Sequence, residues 1–177
     1  MGGLMEHKSS FENSKFVFFE GDLDIIALIR DCFETLSAYL GEASCGVIAH
    51  VVGCRLGERI YKLAIKQRAE SLRDANDFLI YALKQLRLSK DAAVFILKPR
   101  DDSGLEVLVK VASSGWCGSN DVLFYVLRGI IFQFYRLFTR KPIRILSENR
   151  SSVLRSSYEY LVRISKDSGW LADERGV

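Results

Sequence analysis

Between Tyr39 and Lys62 the chain reads YLGEASCGVIAHVVGCRLGERIYK, a helical pattern that holds Gly46, Gly53 and Gly57. A glycine inside a helix costs about 1 kcal/mol relative to alanine, so three of them call for a compensating reason. At about 100° per residue, Gly46, Ala49, His50, Gly53 and Gly57 fall in one stripe roughly 100° wide. The rest of the upstream half is Val47, Ile48, Val51 and Val52, apolar nearly all round, which predicts a buried helix. A stripe of minimal side chains lets a neighbour approach the backbone closely. Two occupants suit it: a second helix, or a ligand lying along the stripe. They are compatible, with a helix pair at one end and a cavity at the other.

The flanking segments place this helix in an α+β chain. Residues 1–14 are polar and aperiodic and predict an N-terminal tail; residues 168–177 predict a C-terminal one. One domain is expected over 15–167, with no repeat or linker inside it. KFVFFEG (15–21) is β-like, and Asp22 can cap a helix to about Leu40, where Gly41 breaks it. The glycine-striped helix then spans 42–66, and Ser71 can cap a third helix to about Leu88. AVFILK (93–98) and LEVLVKVAS (105–113) form a hairpin around PRDDSG. After the loop SSGWCGSN a fourth helix runs to about Phe138, and Pro142 closes that segment. IRILSE (143–148) and YEYLVRIS (158–165) complete an antiparallel sheet covered by long helices, with the glycine-striped helix expected at the centre.

Composition narrows the function. A chain of 177 residues with 49% apolar and 27% charged residues is a globular protein with a sizeable core. A net charge of +3 is too mild to argue for nucleic acid, and no aromatic residues interleave with the basic ones as a nucleic-acid platform needs. The N-terminus has no apolar run followed by a cleavage site, and the four cysteines contain no CxxC pair. A cytoplasmic protein with reduced thiols is expected. The most apolar window, 122–135, is too short for a bilayer, so no integral membrane segment is expected.

The glycine-rich helix, with its Gly-Glu start and its Gly53-x-x-x-Gly57 step, resembles the signature helix of the 4-vinyl reductase (hydrocarbon-binding) domain family. GWCGSNDVLFYVLRGIIFQFY resembles that family's cysteine-containing loop and following helix, and ILSENRSSVLRSSYEYLV its closing hairpin. The family shares its fold with core subunits of the TRAPP vesicle-tethering complex, which GCRLGERI and YVLRGIIF also suit. The resemblance covers roughly residues 16–165 and implies dimerisation through helices. It departs at the hairpin, where Ser151 and Glu159 stand in place of the family's cysteines and Arg155-Ser156-Ser157 replaces its Gly-Asp turn. With Cys117 alone retained, no structural zinc set remains, and no metal and no cofactor are expected.

The residues set aside as a binding site are His50, Gly53, Cys54, Gly57, Trp116, Cys117, Tyr125 and Arg128. The glycines would supply space, Trp116 and Tyr125 aromatic walls, and His50 and Arg128 polar fixing. His50 and Cys54 stand four apart and can face one space, though a packing pair with one hydrogen bond explains them equally. A Cys54–His50 dyad has no orienting third group, so no catalytic residue is assigned. Trp116 and Cys117 sit in a loop that could border a pocket or simply connect elements. Arg55, Arg59, Lys62 and Lys66 form a basic helix face diluted by Glu58, the pattern of a solvated surface.

Three functions follow from this. The first is a non-catalytic homodimer that binds a small hydrophobic ligand as a sensor or carrier. The second is a ligand-free interaction or tethering subunit with a protein partner. The third, an enzyme of tetrapyrrole or hydrocarbon metabolism, has only the family name behind it. A closed apolar pocket would favour the first; a filled core with an exposed apolar patch would favour the second.

Overall fold

The computed structural model describes residues 25–97, 104–113, 120–151 and 157–166. The strand expected at 15–21, the cap at Asp22, both tails and the loop with Trp116 and Cys117 lie outside the described residues. The elements are α1 (Ile25–Leu40), α2 (Glu42–Lys66), α3 (Leu72–Gln85), β1 (Ser89–Leu97), β2 (Gly104–Ser113), α4 (Asn120–Thr139), β3 (Ile143–Ser151) and β4 (Ser157–Ser165). This is an α+β architecture with an antiparallel sheet in the order β1-β2-β4-β3.

Local chemistry sets the helix ends. Gly41, at φ 77°, makes the sharp step from α1 into α2, a conformation costly for a residue with a β-carbon. Ser71 starts α3 with a capping box: its hydroxyl accepts from the Asp74 amide, and the Asp74 carboxylate accepts from the Ser71 amide at 3.0 Å. That bonding holds the Asp74 carboxyl below its ordinary range. α2 and α3 both end in Schellman turns. The amides of Ala69 and Leu88 reach back to the carbonyls of Ala64 and Leu83, with Arg68 and Arg87 left-handed between. α3 therefore stops at Gln85, earlier than the apolar pattern indicates.

Along β4 the inward residues Tyr158, Tyr160, Val162 and Ile164 are buried and their neighbours half-buried. Val107, Val109 and Val111 of β2 continue that inner face. α4 packs on it: Phe124 stacks on Tyr160 with ring centroids 5.4 Å apart, and the Tyr160 hydroxyl donates to the Phe124 carbonyl. α2 lies against α4 on the far side. The central helix is therefore α4 and not the glycine-striped α2, a correction to the sequence expectation.

A second correction concerns the burial of α2. Its inner side is closed, with Cys45, Gly46, Ala49, Gly53, Gly57, Ile60 and Ala64 buried. Its outer side is open: Val47 and Val51 are 66% and 53% exposed. A helix apolar all round is buried only when something covers every side, and α1 and α4 leave these valines uncovered.

α4 is also longer than the apolar window read from the sequence. Val122–Thr139 is long and apolar enough by length and composition to cross a membrane, but 56% of it is buried inside the domain, as in a core helix.

Candidate functional site

The expected site residues divide between the α2–α4 crossing and the undescribed loop. At the crossing the stripe is filled by α4 itself. A β-carbon on Gly57 would lie 2.6 Å from the Ile130 carbonyl oxygen, and one on Gly53 would strike that of Val126. A β-carbon on Gly46 would lie 2.9 Å from the Tyr125 ring. Of the two occupants anticipated for the stripe, the structure seats a helix. At Gly53 and Gly57 the α4 backbone takes the space a ligand would use. Gly129, on α4, meets the same crossing from the other side.

His50, Cys54, Tyr125 and Arg128 border this crossing. The His50 Nε2 lies 3.7 Å from the Cys54 sulfur, and the ring is 6.2 Å from that of Phe132. Its other nitrogen, Nδ1, is buried, and the ring also meets the Tyr125 backbone. Burial and then the Arg128 charge push the His50 pKa below 6.5, with Glu148 opposing. Burial pushes the Cys54 thiol up, against the pull of Arg136, Arg128 and Arg55. A neutral imidazole beside a neutral thiol is a packing pair; it lacks the thiolate that nucleophilic chemistry needs.

Arg128 already grips an anion. Its Nε stands 2.6 Å from the Glu148 carboxylate on β3, tying α4 to the sheet edge. Arg128, expected to fix a ligand, is instead paired with a carboxylate that the protein supplies from a residue 20 positions away. Nearby, the Arg150 guanidinium lies 4.1 Å from the Phe124 ring centroid. Trp116 and Cys117 lie outside the described residues and are not placed.

Among the described residues no group of three or more His, Cys, Asp or Glu could hold a metal ion. Cys32, Cys45 and Cys54 are free thiols. On the outer face of α2, Arg55 and Lys62 both pair with Glu58, at 3.4 and 2.7 Å. Such exposed pairs mark a solvated face and contribute little.

The residues that sequence reasoning missed lie where α1 meets α2. Tyr39 is 83% and Leu40 49% exposed at the end of α1, and Val47 and Val51 are exposed early in α2; Phe95 and Ile96 of β1 are also 47% and 48% exposed. The signal was present in the apolar residues on the outer side of α2, and it was read as burial within one chain. In comparisons with known proteins, no family model, curated protein or solved structure matches the chain.

Proposed function

We propose that this chain is a protein-interaction module that works as a homodimer, two copies meeting on the face formed by the end of α1 and the upstream half of α2. The observation that carries it is the exposure of Tyr39, Leu40, Val47 and Val51 around the α1–α2 junction of a domain whose stripe is closed by α4. Val47 and Val51 stand one turn apart, and Cys54 continues their line. No charged residue occurs between Glu42 and Arg55. An isologous two-fold contact sets the same patch against itself, and an uncharged patch then meets no like charge. The downstream half of α2, with Arg55, Arg59, Lys62 and Lys66 exposed, stays in water.

The filled α2–α4 crossing supports this reading over a ligand held along the stripe. The resemblance to the 4-vinyl reductase and TRAPP-type fold implies helix-mediated dimers and points the same way. The sensor or carrier reading would need a pocket elsewhere in the fold.

Sedimentation equilibrium of the full chain tests the proposal. The expected result is twice the chain mass at micromolar concentration, falling to one chain mass in a Val47→Glu/Val51→Glu variant. Both valines are more than half exposed, so the variant keeps its fold, and its circular dichroism should match the parent. A monomeric parent, or a variant that still dimerises, overturns the proposal.

A further inference from the structure

α2 and α4 run in the same direction, since Gly46 meets Tyr125 while Gly57 meets Ile130 and Gln133. The ends of both helices therefore lie away from the α1–α2 junction. There the structure holds an open cleft of about 320 Å³. Leu72 at the start of α3, Leu105 on β2, Phe138 near the end of α4 and Ile164 on β4 form its apolar walls. Lys141 and Lys166 stand in the lining beside Thr139 and Ser165, and among the described residues no acidic one contributes to it.

We propose that this cleft binds a small amphiphilic carboxylate, a medium-chain or aryl acid whose tail lies among Leu72, Leu105, Phe138 and Ile164 and whose carboxylate meets Lys141. The site is independent of the dimer face and of the α2–α4 crossing. Its volume is at the small end of the range for ligand pockets, about 300–1,000 Å³. At ~30 Å³ for a water-sized group, it has room for roughly ten non-hydrogen atoms, the size of octanoate. Four separate elements supply the apolar walls, so a tail gains contact on several sides at once. Removing its apolar surface from water is the driving force, at about 25 cal/mol per Å².

The head group is the discriminating part. The last carbonyls of α4 turn a partial negative charge toward this end, and a lysine beside a helix C-terminus can serve that charge alone. Were that its only role, the cleft would take an alcohol or an amine as readily as an acid. If Lys141 serves the ligand, the acid is preferred and the preference depends on that side chain.

The full chain is titrated with octanoate, octanol and octylamine, followed by amide chemical shifts. Saturable shifts at Leu105, Thr139 and Ile164 are expected with octanoate, with binding at least tenfold weaker for octylamine. Lys141→Glu is expected to weaken octanoate about tenfold and leave octanol unchanged; Lys141 is exposed, so the variant folds. Leu72→Trp, which narrows the cleft from a half-buried wall, should weaken octanoate and octanol alike. The proposal is overturned by no saturable shift at millimolar octanoate, by octylamine binding as well as octanoate, or by Lys141→Glu having no effect.

Discussion

Gly53 and Gly129 meet backbone to backbone across the α2–α4 crossing, with no side chain between them. A β-carbon on Gly53 would lie 3.0 Å from the Gly129 Cα, and one on Gly129 would lie 2.9 Å from the Gly53 carbonyl carbon. Alanine at a free helical position would stabilise by about 1 kcal/mol relative to glycine. Here the added methyl meets backbone that cannot swing aside, and overpacking of that kind costs about 1–3 kcal/mol or more. Gly53→Ala and Gly129→Ala should each lose about 2 kcal/mol in urea denaturation. Gly46→Ala should cost less, because its methyl meets the Tyr125 side chain and not backbone. Equal effects at all three positions would mean that the crossing is not the constraint.

The buried bond between Tyr135 and Asn76 joins α4 to α3. The Tyr135 hydroxyl donates to the Asn76 side-chain oxygen at 2.8 Å, and both residues are buried. Burial raises the Tyr135 pKa, so the phenol stays a donor at every working pH. Tyr135→Phe leaves the amide oxygen buried without that partner, a loss of about 1–3 kcal/mol. Removing both partners, in Tyr135→Phe/Asn76→Leu, should cost less than the sum of the two single changes. A strictly additive double-mutant cycle would show that the bond contributes nothing of its own.

These two contacts also show where the sequence was informative. Gly41 and the glycine stripe marked α2, Ser71 marked the start of α3, and YEYLVRIS marked β4. Those features are local: a cap, a breaker, a stripe. The extension of β3 to Ser151 was not legible, because it is an edge strand whose later residues, Ser147 to Arg150, are exposed and polar. The start of β1 at Ser89 was hidden by an irregular register between Ser89 and Asp91. Periodicity says which face of an element is apolar, and not what lies opposite. Hence the stripe was found while its occupant stayed open, and Arg128 was found without Glu148.

His50 should make stability fall below neutral pH. The fold holds its pKa under 6.5 through burial and the Arg128 charge, so the neutral ring is the form that folding prefers. Its contribution is complete above 6.5 and is lost as the pH falls from there through the lowered folded value. Between about pH 7.5 and about pH 5.5 most carboxylates stay ionised, so this histidine should dominate the slope. His50→Gln should flatten the slope. Arg128→Ala should raise the His50 pKa in an NMR titration, since it removes the repelling charge and frees Glu148. An unchanged titration would mean that burial alone sets the shift.

The thiols of Cys32 and Cys54 should differ in reactivity, and that difference should report on the dimer. Cys32 is exposed, whereas Cys54 is half-buried beside α4 with its thiol pushed up by burial. Because the thiolate is the reactive form, Cys54 should be alkylated about tenfold more slowly near neutral pH. Two sources of protection are separable. The α2–α4 crossing shields Cys54 in one chain, and the proposed second copy adds cover along the Val47–Val51 line. In the Val47→Glu/Val51→Glu variant Cys54 should therefore react faster than in the parent, yet still more slowly than Cys32. Peptide-level mass spectrometry after timed alkylation resolves both sites. Equal rates for the two cysteines in the parent would refute the burial argument. A Cys54 rate indifferent to the valine substitutions would place the second copy, if there is one, on another face.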